Sequence, residues 1–117
     1  MKHILLVASL AAIPSSALAS KEIAELRAEK PHFTAEVSLN VFDIERCVIA
    51  TVDKRAWVYR QPDRPNDVML VWQSAELGSV TLLEMKGGDQ TKLWFRGADR
   101  IWVNLQPCIG RTKADVK

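Results

Sequence analysis

Between Ala56 and Cys108 the chain is cut by four clusters of turn-forming residues into short runs rich in β-branched and aromatic side chains. Pro62-Asp63-Arg64-Pro65-Asn66, Glu76-Leu77-Gly78, Gly87-Gly88-Asp89-Gln90 and Gly97-Ala98-Asp99 leave little room for helices. The runs predict strands over 56–60, 67–74, 79–86, 91–96 and 101–108, joined as a meander. Val68-Met69-Leu70-Val71-Trp72 is apolar on both alternating sets, as in the middle of a sheet.

The first half reads differently. Over 34–53, Val37, Leu39 and Val41 alternate as in a strand, while Val37, Val41, Ile44, Val48 and Val52 recur at helical spacing. The longer match predicts a helix, with 34–42 open to either reading. Upstream, Ser20 to Lys30 carries only Ile23 and Leu26 as a thin apolar stripe, a weak helix closed by Pro31. The expected architecture is α+β: one principal helix packed on an antiparallel meander sheet of four or five strands. Residues 20–33 form the helix and linker, 34–109 the single domain and 110–117 a loose polar tail.

The first nineteen residues stand apart. Met1-Lys2-His3 is basic, Ile4 to Ile13 is uncharged and apolar, Pro14 follows, and Ala17-Leu18-Ala19 sets small residues before a break. That order predicts a signal peptide, 1–19, cleaved after Ala19. The apolar run is too short to span a bilayer, which takes about 20 helical residues. The expected product is an exported chain, periplasmic or secreted, with no membrane insertion after cleavage.

Export changes the meaning of the two cysteines. Cys47 and Cys108 lie too far apart for a redox CxxC and too few for a structural zinc site, and an oxidising compartment favours their pairing. One intramolecular disulfide is expected; a bond to another chain is the alternative. No metal site and no cofactor is indicated.

Sixteen Lys and Arg against fourteen Asp and Glu give a net charge of +2, too balanced for a nucleic-acid face. No GxSxG, P-loop, GxGxxG or HExxH string occurs. His32, beside a proline in a linker, is poorly placed for a triad. The close acid pairs Asp43/Glu45 and Asp63/Asp67 read as solvated surface.

Tryptophan is the distinctive residue. If residues 96 and 100 face each other across the Gly97 turn, Lys92, Trp94, Arg96, Arg100 and Trp102 share one sheet face, and Leu93, Phe95, Ile101, Val103 and Leu105 the other. The first set makes a cationic, aromatic binding surface. Arg60 and Arg64, in a proline-stiffened loop over 59–67, join it as candidates. With no catalytic motif, the sequence favours a binding or interaction module whose partner is a protein or envelope polymer, an inhibitor of a hydrolase being one form. A small envelope hydrolase with an acid pair assembled in the fold, or a structural subunit of an envelope assembly, are the alternatives.

Overall fold

The structure, a computed structural model, describes residues 22–73 and 80–115. The expected leader, its cleavage site and the Glu76-Leu77-Gly78 turn lie outside the described residues.

The chain is helical through 22–28 (α1), then forms β1 (Phe33–Val37), α2 (Val41–Thr51), β2 (Trp57–Gln61), β3 (Arg64–Gln73), β4 (Val80–Lys86), β5 (Thr91–Arg96) and α3 (Asp99–Leu105). Two 3-10 turns follow, Gln106–Ile109 and Lys113–Asp115. The five strands make one antiparallel sheet in the order β1-β5-β4-β3-β2. Strands β2 to β5 match the first four runs of the expected meander. Strand β1 pairs with β5, so the chain crosses from one edge of the sheet to the other through α2.

This α+β sheet agrees with the sequence in class and departs from it in three places. The longer match read helix over 34–53 with 34–42 open to a strand; β1 takes Phe33–Val37 and α2 starts at Val41. The local cause is Asn40, which holds extended backbone while its side chain accepts a hydrogen bond from the Phe42 N–H at 2.8 Å. Phe33, Ala35 and Val37 then alternate toward the core as a strand, and Val41, Ile44 and Val48 form the helical stripe. The apparent single period had merged two elements.

The second departure is at 101–108, expected as a strand and found as helix α3 followed by a 3-10 turn. Ile101, Trp102, Leu105, Cys108 and Ile109 are the buried apolar residues there, spaced as one helix face. The hairpin register that placed Arg100 and Trp102 beside Trp94 therefore does not exist. The third is the segment 59–67: β2 and β3 run on through it and close by a tight turn at Pro62-Asp63, with a register irregularity between Arg60 and Gln61. With α3 added to α2, and to α1 within the weak helix read over Ser20 to Lys30, a single principal helix does not stand out.

The core lies on one face of the sheet. Val58, Leu70, Leu83, Phe95 and Phe33 stand opposite one another across all five strands and meet Ile44, Val48, Trp102 and Leu105 from the helices. Each aliphatic side chain so buried stabilises the fold by roughly 1.5 to 3 kcal/mol. Trp102 lies parallel to Phe33 at 5.2 Å between centroids and tilted against Phe95 at the same distance. Cys47 and Cys108 form the expected intramolecular disulfide, Cα atoms 5.5 Å apart, tying α2 to the turn after α3. The Thr51 hydroxyl donates to the Cys47 carbonyl at 2.7 Å and lies 3.4 Å from Cys108 Sγ, seating the bridge at the end of α2.

Candidate binding surface

Because side chains alternate, burying the Val58-to-Phe33 row on the helices turns the neighbouring rows to the opposite, outer face. One outer row runs Tyr59, Met69, Glu84, Trp94, Thr34 from edge to edge. The next sets Asp67 beside Lys86, Lys86 beside Lys92, and Lys92 beside Glu36. On the other side lies the row Trp57, Val71, Leu82, Arg96, in which Val71, Leu82 and Arg96 are buried.

Helix α1 is fastened to this outer face by charge. Glu84 Oε2 accepts from Arg27 at 3.0 and 3.2 Å, and Glu84 Oε1 accepts from Arg96 at 2.8 Å. Arg96 also donates through Nε to the Glu29 carbonyl at 2.8 Å, with its side chain only 9% exposed. One sheet carboxylate thus joins a strand arginine to a helix arginine. The adjoining chain is pinned by His32, whose N–H donates to the Phe95 carbonyl at 2.9 Å and whose Nδ1 accepts the Gly97 N–H at 2.9 Å.

Between this clamp and the β2–β3 hairpin lies an open groove of about 400 Å³. Tyr59, Met69 and Trp94 supply its apolar and aromatic surface, and Arg27, Arg64 and Lys86 its cations, with Asp67 and Glu84 between. Tyr59 and Trp94 are three strand spacings apart, about 14 Å. Tyr59 (41% exposed), which lines it, and Trp57 (59%), beside it on the edge strand, are two of the three exposed large hydrophobic residues among those described.

The sequence-derived candidates divide among three places. Trp94, Arg60 and Arg64 line the groove, and Lys92 lies on the same face one row away. Arg60 turns its guanidinium to the helix side, where it pairs with Glu45 and sits 5.6 Å over the Phe42 ring. Arg96 is on the outer face but committed to Glu84 and Glu29. Arg100 is exposed at the start of α3, and Trp102 is core at 2% exposure, so these two leave the surface that was to hold them. Tyr59, Met69, Glu84, Lys86 and Arg27 were missed. The alternation of 57–61 against 64–73 carries the signal for Tyr59 and Met69, but the prolines at 62 and 65 read as a loop.

Among the described residues no group of three or more His, Cys, Asp or Glu is placed to hold a metal ion. No helix among them is long and apolar enough to cross a membrane. Comparison with known protein families, curated proteins and solved structures gives no match.

Proposed function

We propose that the protein is a small exported, disulfide-stapled binding module, and that its partner docks on the outer face at the groove between Tyr59 and Trp94. The observation that carries this reading is the exposed Trp57 and Tyr59 pair set beside a groove of mixed aromatic and cationic character. Tyr, Trp, Met and Arg are the side chains enriched at protein interfaces, where a few such anchors supply most of the affinity. The five-stranded sheet and the disulfide behind it hold these anchors rigid, which lowers the ordering cost of binding. Export is supported by the leader-like first nineteen residues together with the disulfide. The partner is a protein or polymer of that compartment; inhibition of a secreted hydrolase is one use of such a surface.

A small hydrolase built on an acid pair is less well supported. The groove offers Asp67 and Glu84, and both oxygens of Glu84 are occupied by Arg27 and Arg96, which makes it a clamp. A structural subunit of an envelope assembly would use the same outer face but over a larger apolar area. The test is capture from the exported fraction with the purified protein and with Tyr59→Ala and Trp94→Ala variants. A partner retained by the wild type and lost from both variants supports the groove. Equal capture by all three contradicts it.

A further inference from the structure

β2 is an edge strand. It pairs with β3 on one side, and no other described strand lies beside it. Every second residue of such a strand directs its N–H and C=O away from the sheet, a template on which an extended chain can add. Native edges are commonly blunted by proline, by inward charge or by cover. Within Trp57–Gln61 there is no proline; Arg60 turns its charge to the helix side, where Glu45 pairs with it, and the irregularity at Arg60/Gln61 leaves Trp57 to Arg60 in regular register. The two aromatic side chains of this strand face outward, where a chain added to the edge would lay its own side chains against them.

Charge selects the occupant. Residues 53–64 hold Lys54, Arg55, Arg60 and Arg64 against Asp53 and Asp63, and so carry by themselves the net +2 of the whole chain. Glu45 answers Arg60 from α2, but Arg55–Asp53 at 3.7 Å and Arg64–Asp63 at 3.9 Å are loose surface pairs of little energetic weight. Lys54 has no ion pair among the described residues. A second copy of this chain added edge to edge would bring two such cationic segments together, which opposes self-pairing.

We propose that the partner contributes an extended acidic segment that adds to the sheet along β2. It hydrogen-bonds to the outward backbone of Trp57 to Arg60, lays alternate side chains over Trp57 and Tyr59, and places carboxylates near Arg55 and Arg64. The inference rests on the outer face being the binding surface and specifies how that surface is used.

The probe is an eight-residue peptide of alternating glutamate and valine, capped at both ends and mixed with the disulfide-intact protein. Two controls accompany it, one with lysine for glutamate and one with N-methylated alternate valines. Calorimetry is expected to show binding that weakens roughly tenfold or more with either control, since one removes the charge match and the other the ladder hydrogen bonds. Hydrogen exchange should slow at the amides of 57–61. No binding, or equal binding of the N-methylated peptide, overturns strand addition; equal binding of the lysine peptide overturns the acidic partner. A dimer in sedimentation with 57–61 protected overturns it in favour of a second copy. Natural-partner capture lost in Trp94→Ala but insensitive to excess peptide overturns the edge mode and leaves the groove standing. Capture insensitive to Trp94→Ala removes the groove reading itself.

Discussion

Replacing Trp102 with alanine removes an indole that is 2% exposed, stacked on Phe33 and tilted against Phe95, both at 5.2 Å. A tryptophan so placed takes about 200 Å² out of water, which at about 25 cal/mol per Å² corresponds to about 5 kcal/mol. Residual burial in the unfolded chain lowers that figure by about 10 to 40%, while the lost ring pairs and the cavity raise it. The expected cost is therefore about 3 to 5 kcal/mol. Urea unfolding of the oxidised protein, followed by far-UV circular dichroism, should show the midpoint falling by about 1.5 M or more at a slope of about 2 kcal/mol/M. Trp57→Ala, at a site 59% exposed, should stay within about 0.5 kcal/mol of wild type and serves as the control. A cost below about 1 kcal/mol for Trp102→Ala would refute the reasoning, because a buried indole packed on two phenyl rings cannot be both core and dispensable.

Cys108→Ser opens a loop of 61 residues, and chain entropy predicts a loss of about 4 kcal/mol, measured by the same unfolding curves. Arg96→Ala leaves Glu84 with Arg27 as its charge partner and frees the Glu29 carbonyl; the expected loss is about 1 to 3 kcal/mol, and limited proteolysis should then cut near 22–30 before the sheet is attacked. Resistance of that segment in Arg96→Ala would show that α1 is held by something else. Intact-mass measurement of the exported protein should give a chain beginning at Ser20, and a mass retaining Met1 to Ala19 would show that the leader is not removed.

The strands of the meander were legible because turn residues at Gly87-Gly88 and Gly97 bracket runs whose alternation has one solution. Two failures share a cause, since periods 2 and 3.6 overlap in short apolar segments. At 101–108 the set Ile101, Val103, Leu105 satisfies a strand while Ile101, Trp102, Leu105, Cys108 satisfies a helix. The structure takes the second because Cys108 must meet Cys47 on α2 and Trp102 must fill the space over Phe33. At 34–53 the strand Phe33–Val37 and the helix from Val41 happened to place apolar residues in phase, and only the Asn40 cap marks the join. The candidate surface was half legible. Trp94, Lys92 and Arg64 follow from strand alternation and turn position, but Tyr59 and Met69 depend on the β2–β3 register. Arg27 reaches the groove only because Glu84 and Arg96 fold α1 back over the sheet, a long-range event that no local pattern encodes.

The outer-face account is tested most directly by the hydrogen-exchange footprint of the protein bound to the partner it captures from its own exported fraction. The account predicts slowed exchange concentrated at 57–64 and 84–94, with α2 and α3 unchanged. Protection confined to α2, α3 or the Cys108 turn, with 57–64 exchanging as in the free protein, would contradict it.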